Sequence, residues 1–165
     1  MNRSIKPLVI LLFLVCFSAS KSHAQDIEVI KYPDLAKLIS SQSDKNKVIN
    51  FWATWCRPCI KELPQFLELY NKYNDENLEL SLISFDFVED LENKLKPFVA
   101  KKNIEAKVYL LDETDYNAFI DKVDPSWSGA IPATLMVAKG NSKRKFIEKE
   151  FAEDELEKVY LNFIK

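Results

Sequence analysis

Apolar positions recur along this chain in two rhythms. Val48-Ile49-Asn50-Phe51-Trp52-Ala53 is apolar at nearly every residue, which predicts a strand buried on both faces, and Leu78 to Phe85 is another buried-strand candidate. Ile27 to Ile30 and Val108 to Leu111 predict shorter strands. Between these runs, apolar residues return every third or fourth position, the period of a helix face. The sets are Leu35, Leu38 and Ile39 after Pro33; Ile60, Leu63, Leu67 and Tyr70; Leu91, Leu95, Phe98 and Val99; Tyr116, Phe119, Ile120 and Val123; and Leu156, Val159, Tyr160 and Phe163. Pro64 predicts a kink in the second helix, and Pro97 predicts that the third is bent or begins late.

Strands that alternate with helices predict an α/β fold with a central parallel or mixed sheet. Near the end, Ala133 to Ala138 and Lys145 to Glu150 are strands joined by Lys139-Gly140-Asn141-Ser142, a turn-forming set that predicts an antiparallel hairpin. Lys45-Asn46-Lys47 is expected to precede the strand at 48. Glu153, Asp154 and Glu155 suit the first turn of the last helix, and Asp112, Glu113 and Asp115 suit loop and helix-start positions. Trp52 belongs to the core, while Trp127 has no assigned role. No linker or low-complexity stretch divides residues 25–165, so one domain is expected there.

Residues 1–24 have the grammar of an export signal. Arg3 and Lys6 form a basic start, Leu8 to Phe17 an apolar centre, and Ser22-His23-Ala24 a cleavage site, with an uncleaved anchor as the alternative. The expected location is therefore the periplasm or another extracytoplasmic space. Cleavage after Ala24 removes Arg3, Lys6 and Lys21 from 23 basic residues and none of the 25 acidic ones, leaving a formal charge of −5. That balance does not favour nucleic acid as a partner. His23 is the only histidine, which excludes a Ser-His-Asp triad or a Cys-His pair from the mature chain. Its two glycines, Gly129 and Gly140, cannot build a Gly-rich phosphate cradle.

The chemistry concentrates in Trp55-Cys56-Arg57-Pro58-Cys59, between the strand at 48–53 and the helix expected from Ile60. Two thiols separated by two residues can close a small ring at a helix start, where free backbone N–H groups and the macrodipole stabilise a thiolate. A purely structural disulfide is the plainer reading, but a loop this short stabilises by only roughly 2 kcal/mol. Half of a zinc site is the other, but beyond the leader no further Cys or His supplies the missing ligands, so no metal is expected.

Asn50-Phe51-Trp52-Ala53-Thr54-Trp55-Cys56-Arg57-Pro58-Cys59-Ile60-Lys61-Glu62-Leu63-Pro64 resembles the active-site block of the thioredoxin superfamily, in particular its exported TlpA/ResA-like branch of thiol-disulfide oxidoreductases. Ile131-Pro132-Ala133-Thr134 is similar to that superfamily's cis-proline loop. The resemblance implies a thioredoxin-like fold, a mixed sheet flanked by helices, with the helix and strand at about 90–111 as a central insertion. It implies an exposed nucleophile at Cys56, a shielded resolving thiol at Cys59 and a cis Pro132. It places the backbone of Ile131 against an extended substrate; Trp55, by its position beside Cys56, is expected on the docking surface. Plain thioredoxin carries a buried aspartate where this chain has Asn50, so proton exchange falls to Glu62, matching a glutamate that the branch retains. From periodicity alone, Glu62 is equally a surface residue.

The function this implies is dithiol–disulfide exchange without a metal or organic cofactor, with reduction as the expected direction. The implied partners are exported protein disulfides or dithiols, apocytochrome c among them, and a membrane thiol donor for recharging. A monomer is expected. A periplasmic thiol oxidase and a non-catalytic copper-binding dithiol module are the competing readings.

Overall fold

The structure, a computed structural model, describes residues 26–75 and 77–165. The leader expected at 1–24, with Cys16 and His23, lies outside these residues. Six strands form one mixed sheet in the order β1-β4-β3-β2-β5-β6. They are β1 (Glu28–Ile30), β2 (Asn46–Trp52), β3 (Leu78–Ser84), β4 (Lys107–Leu111), β5 (Ala133–Val137) and β6 (Arg144–Ile147). The first four in that order run parallel, and β5 and β6 run antiparallel to their neighbours. The expected α/β architecture and closing hairpin are both present. The helix and strand expected as an insertion end in β4, which lies between β1 and β3.

Strand β2 is buried at all seven positions: Val48, Ile49, Phe51 and Trp52 are apolar, and Asn46, Lys47 and Asn50 find hydrogen-bond partners inside the fold. Alternation sends Phe51 and Trp52 to opposite faces. The Phe51 ring lies 4.5 Å from Trp127 and 6.0 Å from Phe85, and Phe85 is 6.3 Å from Phe119. Tyr32 stacks on Phe119 at 5.7 Å, so α1 (Tyr32–Ser40) and α4 (Ile120–Val123) cover this face. Trp127 is therefore core, and its indole N–H donates to the Ala130 carbonyl at 2.9 Å. On the opposite face, Trp52 packs 5.6 Å from Phe98 of α3 (Lys96–Lys101), and Asn50 meets α2 (Arg57–Tyr73). Helix α5 (Glu155–Phe163) joins α2 through Tyr73 and Tyr160, whose rings are 5.5 Å apart.

Several boundaries differ from the sequence pattern for identifiable reasons. Asn46 and Lys47 belong to β2, because the Lys47 ammonium is buried against the end of α1. It donates to the carbonyls of Leu38 at 2.9 Å and Ile39 at 3.3 Å, and to that of Ser41. These acceptors satisfy a charge that would otherwise exclude the residue from the interior. The third helix starts as a π-helical turn at Leu91–Leu95 and passes into α3, where Pro97 occupies the first turn and needs no donor. The helix expected at Tyr116 to Val123 divides into a 3₁₀ turn, Tyr116–Ala118, and α4. Strand β6 stops at Ile147, since the Glu148 carboxylate turns to accept from the N–H groups of Ser128 and Ala130, each at 3.1 Å. Asp154 precedes α5 in a left-handed conformation instead of joining its first turn.

Candidate active site

Helix α2 begins at Arg57, three residues before the expected Ile60, because Cys56 acts as its cap. The Cys56 sulfur accepts from the Cys59 N–H at 3.3 Å, and Pro58, in the first turn, has no N–H to satisfy. Cys56 and Cys59 form a disulfide with their Cα atoms 5.3 Å apart. The exposed sulfur expected at Cys56 is not seen in this oxidised form: Cys56 is 5% exposed and Cys59 2%. Trp55 is 60% exposed, and Arg57 also faces solvent.

The 131–134 segment meets the cysteines as β5 enters the sheet. The Ile131–Pro132 peptide bond is cis, and the Ile131 carbonyl oxygen lies 3.9 Å from Cys56 Sγ. The loop ahead of it is braced by Glu148.

Behind the disulfide lies a polar cluster enclosed by the core. Glu62, one turn along α2 from Cys59, is 1% exposed, so it is not the surface helix residue that periodicity equally allowed. Its Oε2 accepts from the Phe151 N–H at 2.7 Å, and its Oε1 accepts from the Asn50 amide at 3.3 Å. The same Asn50 amide nitrogen reaches Thr134 Oγ1 at 3.1 Å and the Ala133 carbonyl at 3.3 Å, tying the cluster to the segment that follows Pro132. Burial pushes the Glu62 carboxyl up to about 7; the Phe151 and Asn50 donors oppose that rise and the Glu150 charge adds to it. Glu62 can therefore gain or lose a proton near neutrality.

Asp86, which the sequence pattern did not single out, fixes the turn in front of the cysteines. Its carboxylate accepts from the Thr54 N–H at 3.0 Å, from the Thr54 hydroxyl and from the Ser84 hydroxyl at 2.6 Å, and the residue is 3% exposed. An aspartate just past a strand reads as a loop charge. Its function shows only once β3 stands beside β2, with Ser84 opposite Trp52. Among the described residues, no group of three or more His, Cys, Asp or Glu side chains is placed to hold a metal ion.

Residues 21–142 match the model of the AhpC/TSA family. The chain belongs to the AhpC/TSA family. Similarity to the thiol-disulfide oxidoreductase ResA of Bacillus cereus is 30% identity over 116 residues, covering 70% of this chain and 60% of that protein. The chain thus spans less than two thirds of that relative's length. Among solved structures, the thioredoxin-related protein of Neisseria meningitidis serogroup B aligns with a TM-score of 0.60 at 23% identity, covering 74% of this chain and 88% of the other. A DsbF homologue from Corynebacterium diphtheriae aligns at 0.59 and 20% identity, covering 75% of each chain. These likenesses establish a thioredoxin-like fold for this AhpC/TSA-family chain. Within that fold, every residue expected at the site is gathered around one disulfide, at the ends of β2 and β5 and the start of α2.

Proposed function

We propose that this chain is a thiol-disulfide oxidoreductase that works outside the cytoplasm and reduces disulfides in exported proteins. The observation that carries the reading is the Cys56–Cys59 disulfide at the start of α2, with the Ile131 carbonyl on one side and buried Glu62 behind. A ResA relative named as a thiol-disulfide oxidoreductase supports it. No helix among the described residues is long and apolar enough to cross a membrane, and the export grammar of residues 1–24 underlies the proposed location.

In the reduced protein, the Cys56 thiolate attacks one sulfur of a partner's disulfide. That bond breaks, a mixed disulfide forms, and the partner's other sulfur leaves as a thiolate that takes up a proton. Cys59 then loses its proton to Glu62 and attacks Cys56 Sγ, releasing the partner's remaining sulfur. Two electrons have passed to the partner, and the Cys56–Cys59 disulfide of this structure is the product. A membrane thiol donor must return two electrons and two protons for the next cycle. Apocytochrome c is the substrate suggested by resemblance, and the protein acts as a monomer.

Arg57, at the first helical position, places a cation beside Cys56, which favours the thiolate and so the reduced form. We assign the couple a potential between reducing thioredoxin and strongly oxidising relatives. Insulin or glutathione-disulfide turnover that vanishes in Cys56→Ser tests the exchange itself; turnover that persists in that variant rejects it. Equilibration with glutathione tests direction, and a strongly oxidising potential would make the protein an oxidase.

A further inference from the structure

Of the six large apolar side chains exposed among the described residues, four line two adjoining depressions beside the disulfide: Trp55, Phe87, Val88 and Tyr116. The larger, of about 530 Å³, reaches from Trp55 and Ile131 to Phe87 and Tyr116. The smaller, of about 310 Å³, shares Phe87 and Tyr116 and continues past Val88. Phe87 is 64% exposed at the crest between them. Exposed aromatics collected in one place on a water-soluble surface mark a contact site, since scattered single residues would need no explanation.

The charge along this groove has one sign. Asp86, Glu89, Asp112 and Glu113 line its smaller part and Asp115 its larger part, and no lysine or arginine lines either. Three of these carboxylates are already engaged: Asp86 by Thr54 and Ser84, Asp112 by Lys31 at 2.8 Å, and Glu113 by the Tyr32 N–H at 2.7 Å. Glu89 and Asp115 are exposed and form no ion pair among the described residues. A groove with an apolar floor and uncompensated negative charge complements an apolar segment that carries positive charge.

We propose that this groove selects, among cysteine-bearing segments of partner proteins, those with an aliphatic or aromatic residue next to the cysteine and a lysine or arginine a few residues away. The inference rests on the exchange reading above and names the substrate class of that site. The apolar residue packs against Trp55, Phe87 and Tyr116 as the cysteine reaches Cys56, and the cation lies between Glu89 and Asp115. Selection acts on encounter and on lifetime of the mixed disulfide, so it weakens as salt screens exposed charge.

The test uses the reduced protein and two synthetic peptides, each with one internal disulfide and a leucine beside one cysteine, identical but for a Lys-Lys or a Glu-Glu pair further along. Reduction of the basic peptide should be about ten-fold faster at low salt, with the preference shrinking at high salt. In Glu89→Gln/Asp115→Asn the ratio should fall toward one. Phe87→Ser should raise the half-saturating concentration of both peptides about five-fold while their ratio stands. Equal rates for the two peptides, or a ratio indifferent to the double substitution, would overturn the proposal. So would sedimentation showing a dimer that Phe87→Ser dissociates, because the groove would then belong to a second copy of the chain. Failure to reduce either peptide or glutathione disulfide would remove the exchange reading itself and this inference with it, whereas turnover of glutathione disulfide without peptide discrimination removes only the inference.

Discussion

Glu62 accepts the Phe151 N–H at 2.7 Å from within the core, so the carboxylate behind the cysteines is held by the strand-to-helix passage that follows β6. Burial raises its proton affinity to about 7, above the ordinary carboxylate value of 4.5. The folded state therefore binds a proton more tightly than the unfolded chain. Stability contributed by that proton is full at pH below about 4.5 and is lost as pH rises through about 7, a change of roughly 3 kcal/mol at the usual conversion. Urea denaturation of the oxidised protein between pH 5 and 8 should show this decline, and Glu62→Gln should flatten it.

The same proton enters the resolving step. Glu62→Gln should slow release of the mixed disulfide by about a hundred-fold, the lower end of the range for a general base, and remove the inflection near pH 7 from its pH profile. Stopped-flow kinetics with a thiol-reactive disulfide reads both. An unchanged rate and profile would leave Glu62 as a packing residue only.

Cys59→Ala should accumulate mixed disulfides through Cys56, since capture remains and release is lost. Non-reducing gels of cells expressing this variant should show adducts that Cys56→Ala does not form. Mass spectrometry of the trapped chains would identify partners directly.

Asp86→Ala should destabilise the protein by about 3 kcal/mol, because the buried donors of Thr54 and Ser84 lose a charged acceptor. Asp86→Asn, which keeps an acceptor, should cost about half as much. The turn carrying Trp55 and Cys56 would loosen, so alkylation of reduced Cys56 should change in Asp86→Ala more than in a core variant of equal stability. Chemical denaturation and iodoacetamide kinetics together separate the two effects.

Lys47→Met should cost about 2 kcal/mol by leaving the last carbonyls of α1 without a donor. Hydrogen exchange should localise the loss, with the amides of α1 exposed faster than those of β3.

The sheet was legible because Val48 to Ala53 is apolar at all but Asn50 and Leu78, Leu80, Leu82 and Ile83 recur along β3, and the hairpin because Gly140 and Asn141 both adopt the positive φ their residue types allow. The cysteines could be read from local pattern, whereas Pro132 was read from the resemblance of Ile131-Pro132-Ala133-Thr134 to a family loop. Glu62 could not be placed from periodicity alone, because its burial depends on Asn50 and Phe151, residues far apart in the chain. Lys47 and Asp86 were missed for a related reason. A charged residue in sequence looks solvated, and only tertiary structure supplies the carbonyls or hydroxyls that make its burial tolerable.

The bond from Phe151 to Glu62 also has a practical side. Helix α5 leans on α2 through Tyr160 and Tyr73, and at its start the Leu156 N–H donates to the Gln65 side chain at 3.3 Å, one turn along α2 from Glu62. Removing α5, or prying it loose, would let water reach Glu62 and lower its proton affinity. Engineers should treat α5 as a tuning screw for the sulfur chemistry and leave its seat on α2 undisturbed.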